Sequence, residues 1–268
     1  MWRLGTVPYL NALPLVAGLR AQPEVDLMEE LPARLAPRLR AGDLDLALVS
    51  SVELFREPRL GWIVGPAITS RGAVKSILLY LRRPLAEVRS LGLDSSSRSA
   101  AVLAQVCLRG FAGLDALDVS LAPPDRALDT LEQDAVLRIG DPALSTDPLD
   151  REVVDLGTYW TDQTGLPFVY ALWLTRPDLD CAGIVPLLEQ SRRVGLAQRE
   201  RLAEDFARAN GLPVAQTQRY LAEHIGFELG AAEREGLERF GAMAHELGLV
   251  DRPELPPPTG RVDASPGA

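Results

Sequence analysis

The feature that most constrains this fold is the regular alternation of strand-like and helix-like segments near the amino terminus. Short apolar runs at residues 4–7, 25–31 and 44–49 are typical of buried strands, and residues 10–19 and 32–41 carry helical patterns between them. Strands that alternate with helices in this way predict a parallel sheet covered by helices.

A second series of the same kind follows along the chain. Its predicted strands are residues 74–81, 91–93, 119–122, 135–139 and 168–175, and its predicted helices are residues 97–110 and 125–132. From residue 195 the chain is mainly helical, and the proline-rich residues 251–268 have the composition of a tail.

Together the two series predict an α/β protein with two lobes, each a mostly parallel sheet flanked by helices. Residues 1–80 plus 176–268 form the first, discontinuous lobe, and residues 81–175 form the second. Because open α/β sheets bind ligands at the carboxyl ends of their strands, we expect a ligand cleft between the lobes.

Charge and cysteine content exclude several classes of partner. Acidic residues outnumber basic ones by 37 to 28, and the basic residues are scattered, so we expect neither nucleic acid nor an anionic membrane as a partner. Cys107 and Cys181 form no CxxC pair, and no run of about 18 apolar residues is present. We therefore expect a cytoplasmic protein that begins at Met1 and binds a small molecule; the oligomeric state is left open.

Polar residues follow the first predicted strand directly. Tyr9 and Asn11 stand between this strand and the next helix, in the sequence V-P-Y-L-N-A-L-P-L. The Asn11 amide is a candidate donor to a ligand carboxylate, aided by the positive end of the helix. The alternative is that Asn11 is a plain helix N-cap.

Small hydroxyl residues occur at two further places. Ser50 and Ser51 directly follow the third predicted strand, where they either face the cleft or simply form a turn. Ser76 lies inside the apolar strand at 74–81, where a buried hydroxyl needs a partner. That partner is either the ligand or the backbone.

A hydroxyl-rich turn precedes the helix at 97–110, in the sequence L-D-S-S-S-R-S. Ser97, Arg98 and Ser99, with the free N–H groups of the first helical turn, predict a site for a carboxylate or phosphate. Helix capping is the alternative. The chain lacks both GxxxxGK[ST] and GxGxxG, so ATP and NAD are disfavoured and no cofactor is expected.

The remaining candidate is Asp141, which follows a buried strand in the sequence I-G-D-P-A. It would bind a hydroxyl, orient another side chain or cap a helix, and spacing does not separate these roles. The two histidines, His224 and His245, fall in the C-terminal helices, where we expect them on the helix surface. Neither cysteine has a histidine at metal-ligand spacing, so no metal is expected.

Six segments in matching order resemble the chorismate dehydratases of the futalosine route to menaquinone, over about residues 4–174. They are V-P-Y-L-N-A-L-P-L, D-L-A-L-V-S-S, V-K-S-I-L-L, L-D-S-S-S-R-S, I-G-D-P-A and T-G-L-P-F-V-Y-A-L-W. Where that family usually has Y-L-N-T, this chain has Ala12. The resemblance implies a periplasmic-binding-protein-like type 2 fold, in agreement with the two lobes predicted above.

The resemblance also implies a reaction: loss of water from chorismate to give 3-[(1-carboxyvinyl)oxy]benzoate. It implies catalytic roles for Asn11 and Ser76, with the Ser97–Ser99 turn among the substrate-binding groups. For the base, we put forward the substrate's own enolpyruvyl carboxylate, with Asp141 as the alternative. The competing functions are a non-catalytic binding or sensor protein for a small carboxylate, and the sibling enzyme 1,4-dihydroxy-6-naphthoate synthase.

Overall fold

The computed structural model describes residues 1–94 and 98–261. Its strands, in chain order, are β1 (Trp2–Thr6), β2 (Val25–Glu29), β3 (Leu46–Ser50), β4 (Gly61–Ser70), β5 (Ile77–Leu81), β6 (Ser90–Leu93), β7 (Asp118–Leu121), β8 (Ala135–Ile139), β9 (Glu152–Asp155), β10 (Phe168–Thr175), β11 (Gly226–Glu228) and β12 (Gly260–Arg261).

The α-helices, in chain order, are α1 (Leu13–Val16), α2 (Pro32–Ala41), α3 (Glu53–Arg56), α4 (Arg98–Gln105), α5 (Gly140–Ser145), α6 (Leu156–Thr164), α7 (Val185–Ala197), α8 (Arg199–Asn210), α9 (Val214–Arg219) and α10 (Ala231–Glu246). Short 3₁₀ helices cover Leu10–Ala12, Leu85–Glu87 and Leu128–Thr130, and π-helical turns cover Val106–Phe111 and Tyr220–His224.

The strands form two sheets, one in each lobe. The first has the order β11-β4-β10-β3-β1-β2, with β12 paired to β4, and the second has the order β7-β6-β8-β5-β9. In each sheet three neighbouring strands are parallel: β2, β1 and β3 in the first, and β7, β6 and β8 in the second. The strands β10 and β5 run antiparallel to them, so the sheets are less uniformly parallel than the sequence predicts.

The long strands β5 and β10 differ from the predicted layout. The predicted lobe boundaries put residues 74–80 in the first lobe and residues 168–175 in the second, whereas β5 lies wholly in the second sheet and β10 wholly in the first. The chain crosses outward through residues 71–76, which we call the first crossing segment, and returns through α6 and the turn after it. The sheets therefore place 77–81 with the second lobe and 168–175 with the first.

Helix α2 shows why some boundaries were predicted well. Pro32 fits a first helical turn, and Gly42 ends the helix in the left-handed region at φ 78°. Other predictions were wrong. The helix expected at 10–19 is a 3₁₀ turn followed by α1, and residues 125–132 contain only a short 3₁₀ turn. Strand β4 was missed because Gly65 and Pro66 interrupt its pattern.

The segment expected to be a tail is partly packed on the first lobe. The Trp62 indole donates to the Pro256 carbonyl at 2.8 Å, the Thr259 N–H donates to the Trp62 carbonyl at 2.8 Å, and β12 pairs with β4. Residues 251–261 thus cover an edge of the sheet, and residues 262–268 lie outside the described part of the chain.

One aromatic cluster packs where the chain returns to the first lobe through α6. Trp160 of α6 contacts Phe168 edge-to-face with ring centroids 5.4 Å apart, and Phe168 contacts Phe240 of α10 at 4.9 Å. All three rings are fully or almost fully buried. Since aromatic pairs of this geometry add to the hydrophobic burial, they fix how α6 and α10 meet β10.

Candidate active site

A cavity of about 510 Å³, including its open mouth, lies between the lobes at the carboxyl ends of the parallel strands. Its lining is mainly apolar, with polar groups from Tyr9, Asn11, Ser50, Ser76 and Tyr170. The apolar lining residues are Val7, Pro32, Leu48, Val49, Ile68, Ile77, Ile139 and Ala171.

Asn11 lies within the 3₁₀ helix after β1. It does not cap this helix, because Tyr9 occupies the N-cap position and makes no side-chain cap bond. The Asn11 Nδ2 donates to the Tyr220 hydroxyl at 3.2 Å, and its buried Oδ1 has no partner among the residues that the structure describes. The neighbouring Ala12 is fully buried and packs in the core.

Ser76 ends the first crossing segment rather than lying inside a strand, which corrects the sequence prediction. Its hydroxyl lies 2.8 Å from the Tyr220 hydroxyl, and its carbonyl accepts from the Gly140 N–H at 2.8 Å. Lys75, immediately before it, adopts a left-handed conformation at φ 62°. The Asp155 carboxylate accepts from the Lys75 N–H at 2.8 Å and so holds this turn in place.

Tyr220 is the residue that sequence reasoning missed. It begins the π-helical turn after α9, is 2% exposed, and its hydroxyl meets both Asn11 and Ser76. Burial raises the pKa of its phenol well above the ordinary value, so the hydroxyl stays protonated at neutral pH. The run R-Y-L-A-E-H offers no signal for this role, although π-helical turns often mark functional positions.

Asp141 links the two lobes beside the group formed by Asn11, Ser76 and Tyr220. Its Oδ1 accepts a long hydrogen bond, 3.4 Å, from the Leu10 N–H of the first lobe. Burial raises the pKa of Asp141 from its ordinary 3.8 to about 6, and the Leu10 hydrogen bond offsets part of that effect. Gly140, just before it, lines the cavity at φ 63°, and a side chain there would point at the Tyr9 ring.

Two of the predicted serines lie outside this cavity lining and hold the lobes together. The Ser51 hydroxyl donates to the Val169 carbonyl at 2.7 Å and lies 3.0 Å from the Ser99 hydroxyl of α4. The Ser99 hydroxyl also accepts from the Val52 N–H at 3.0 Å. Ser51 and Ser99 are almost completely buried, whereas Ser50 does line the cavity.

Arg98 makes a second contact between the lobes. Its Nε lies 2.9 Å from Glu53 Oε1 in the first lobe, where Glu53 is 1% exposed. Burial raises the pKa of Glu53, while Arg98, Arg56 and Arg40 act in the opposite direction. Arg98 thus balances a buried charge rather than lining the cavity. Ser97 lies outside the described residues, and its binding role stays a prediction.

The histidines lie away from the cavity lining. His224 Nδ1 is 3.0 Å from the Ala73 carbonyl, and His245 Nδ1 is 3.2 Å from the Val250 carbonyl. Among the described lining residues none is a histidine, lysine or arginine. The cavity therefore offers hydroxyl and amide groups and an apolar surface, which can position a small ligand and exclude water around it.

The described residues contain neither a cluster of metal-binding side chains nor a membrane-spanning helix. Across residues 1–94 and 98–261, no three His, Cys, Asp or Glu side chains are grouped so that they could hold a metal ion. Over the same ranges, no helix has the length and apolar character needed to cross a membrane.

The molecule has the two-lobed fold of the periplasmic binding proteins, with a cavity between its lobes. The chain superposes with a TM-score of 0.70 on the alkanesulfonate-binding protein SsuA of Xanthomonas axonopodis, at 18% identity and covering 97% of this chain and 98% of that one. A protein of Archaeoglobus fulgidus gives a TM-score of 0.77 at 14% identity, covering 93% and 98%. These likenesses show the fold.

Sequence comparison identifies the family. The menaquinone biosynthesis family matches residues 2–246, and the chain belongs to it. A chorismate dehydratase of Thermus thermophilus is 30% identical over an alignment of 273 positions, which covers 95% of this chain and 98% of the relative. A chorismate dehydratase of Campylobacter jejuni is 25% identical over 256 residues, covering 92% and 99%.

Proposed function

We propose that this protein is a chorismate dehydratase, a hydro-lyase that converts chorismate to 3-[(1-carboxyvinyl)oxy]benzoate and water. The observation that carries the proposal is the meeting of Asn11 and Ser76 at an interlobe cavity, in a chain that matches chorismate dehydratases along nearly its whole length.

The reaction removes a proton from ring carbon C3 and the hydroxyl from the adjacent C4. The C3–H and C4–O bonds break, a C3–C4 double bond forms, and the proton and hydroxyl leave together as water. Since the new double bond completes an aromatic ring, the chemistry is strongly downhill. The protein has to hold the substrate in the reactive conformation and stabilise the charge that develops.

In this proposal the first-lobe residue Asn11 and the crossing-segment residue Ser76 hold the reacting part of the substrate. Tyr9 and Ser50 contact it from the first lobe, and the apolar lining packs on the ring faces. No positive side chain lines the described cavity, so the carboxylates rely on hydroxyl and N–H donors. The turn that contains Ser97 remains our candidate for binding one of the substrate's carboxylates.

The substrate's enolpyruvyl carboxylate is the base we favour. Asp141 is not among the residues that line the described cavity, and its Oδ1 is engaged by the Leu10 N–H. In our proposal Asp141 positions the 3₁₀ helix that carries Asn11. The alternative, Asp141 as the enzymic base, predicts that an amide at this position abolishes turnover.

The test is to mix the purified protein with chorismate, without added metal or cofactor, and to follow the products by chromatography with mass detection. We expect loss of one water to give an aromatic enolpyruvyl benzoate. Asn11→Ala should lower kcat by about 10²-fold or more. Asn210→Ala is the matched control, because Asn210 is exposed at the end of α8 and its side-chain amide donates to the Phe206 carbonyl of the same helix at 2.9 Å.

Three outcomes separate the competing functions. Chorismate recovered unchanged would refute the dehydratase proposal. If chorismate were not converted but still raised the melting temperature, a non-catalytic binding or sensor protein would be supported. If chorismate left the melting temperature unchanged, the naphthoate synthase activity would be tested next. Equal loss of activity in both asparagine variants would contradict the assigned role of Asn11.

A further inference from the structure

The Tyr220 hydroxyl contacts both side chains to which we assign catalysis. It lies 3.2 Å from Asn11 Nδ2 and 2.8 Å from Ser76 Oγ. Asn11 belongs to the first lobe, and Ser76 immediately precedes β5, which leads into the second lobe. One hydroxyl thus ties together two groups that approach the cavity from different parts of the fold.

The order of donors along this chain of hydrogen bonds follows from its chemistry. The Asn11 Nδ2 can only donate, so the Tyr220 oxygen accepts there. Either hydroxyl could donate in the Tyr220–Ser76 contact, and because the Tyr220 oxygen already accepts from Asn11, we assign the phenol proton to Ser76 Oγ. Burial keeps that proton on Tyr220 at neutral pH. The proton of the Ser76 hydroxyl is left available to a ligand.

The same contact determines which end of the Asn11 amide is available. Because Nδ2 is engaged by Tyr220, Oδ1 is the end left over, and it is buried without a partner among residues 1–94 and 98–261. A buried acceptor without a donor is costly, so this atom is expected to accept from the ligand. One free acceptor beside one free donor is complementary to an alcohol, because a hydroxyl group can donate to the first and accept from the second.

We propose that Tyr220 is the positioning residue of this site, holding Asn11 and Ser76 so that Asn11 Oδ1 accepts from, and Ser76 donates to, the hydroxyl that the substrate loses. The proposal rests on the dehydratase function proposed above. It also specifies the ligand class, since a hydroxyl must occupy this position. The product lacks that hydroxyl and therefore binds more weakly than chorismate.

The first test replaces Tyr220 by Phe, which keeps the buried ring and removes the hydroxyl. We expect kcat to fall about 10- to 100-fold while KM changes less than about 3-fold, because the reacting groups lose their alignment but the cavity keeps its lining. Tyr80→Phe is the matched control, since Tyr80 is 1% exposed and its hydroxyl bonds the Ala143 carbonyl, at 3.5 Å, and Thr146, neither of which lines the cavity. Equal losses in both variants would overturn the proposal.

The second test asks whether Tyr220 acts through Ser76. If it does, Tyr220→Phe should lower kcat much less in a Ser76→Ala background than in the unmodified protein, because residues that act as a unit are not additive. Losses that multiply in the double variant would instead indicate a general effect on folding and would overturn the positioning role.

The third test does not depend on turnover. The chain contains two asparagines, so the protein labelled with ¹⁵N-asparagine has two side-chain amide pairs, from Asn11 and Asn210. We expect Tyr220→Phe to move the Asn11 pair and leave the Asn210 pair in place, and Tyr80→Phe to move neither. An Asn11 pair unaffected by Tyr220→Phe would overturn the proposal. If the unmodified protein made no product, the dehydratase function would fail, and this spectrum would still decide the Asn11–Tyr220 contact.

Discussion

Replacing Asp141 by Asn tests how burial controls this site. Burial raises the pKa of Asp141 from 3.8 to about 6, so the folded protein binds this proton more tightly than the unfolded chain does. As pH rises from about 4 to about 6, the unfolded chain loses its proton first and the folded state loses stability. At about 1.4 kcal/mol per pKa unit, the full loss is about 3 kcal/mol at neutral pH.

The Asn variant does not titrate at this position, and its oxygen can still accept from the Leu10 N–H. We therefore expect the difference in free energy of unfolding, variant minus unmodified protein, to rise by about 2–3 kcal/mol between pH 4 and pH 7 and then to level off. The assay is urea unfolding followed by tryptophan fluorescence at a series of pH values. A difference that stays flat over this range would refute the argument from burial.

The turnover of the same variant tests the base. With the substrate carboxylate as base, Asp141→Asn keeps measurable dehydration of chorismate. Complete loss of turnover in a variant that remains folded would identify Asp141 as the base and contradict our proposal. Because stability and activity are measured on one protein, a loss of folding cannot be mistaken for a loss of the base.

Three further substitutions test contacts of the fold, each by urea unfolding. Lys75→Gly should raise the free energy of unfolding by about 0.5–1 kcal/mol, because glycine tolerates the left-handed conformation at this position; a decrease would contradict this. Gly195→Ala should lower it by about 3 kcal/mol, since its Cβ would lie 1.9 Å from the Pro14 carbonyl oxygen, and an unchanged value would show that α7 can move away. Ser99→Ala should cost about 1–3 kcal/mol by leaving the buried Val52 N–H without its acceptor, and no loss would mean that water replaces it.

Much of the secondary structure was predictable because it depends on neighbours along the chain. The bounds of α2, β8 and β10 match the predicted segments, since each is a continuous apolar or amphipathic run ended by a glycine, a proline or a charged residue. Strand β4 was not predictable in this way. Its Gly65 and Pro66 disfavour a strand, and pairing with β10 and β11 along its two edges outweighs that local preference.

The candidate site likewise combines residues that the local sequence indicates with contacts that depend on tertiary packing. Asn11 was recognisable as a polar residue that follows an apolar strand, and Ser76 as a hydroxyl inside an apolar run, and both are local features that the sequence displays. Arg98 and Ser99 stand in an equally suggestive turn, yet their contacts with Glu53 and Ser51 direct them to the interface between the lobes. Which polar group meets a ligand and which meets a neighbour depends on packing, not on spacing.

Tyr220 depended entirely on the tertiary structure. It is 209 residues from Asn11 and 144 residues from Ser76 along the chain, and no periodicity relates residues so far apart. Local sequence determined the strands and helices, because backbone conformation responds to nearest neighbours. The packing of the C-terminal helices against the crossing segment decided which hydroxyl contacts Asn11 and Ser76, because a hydrogen bond depends on distance in space.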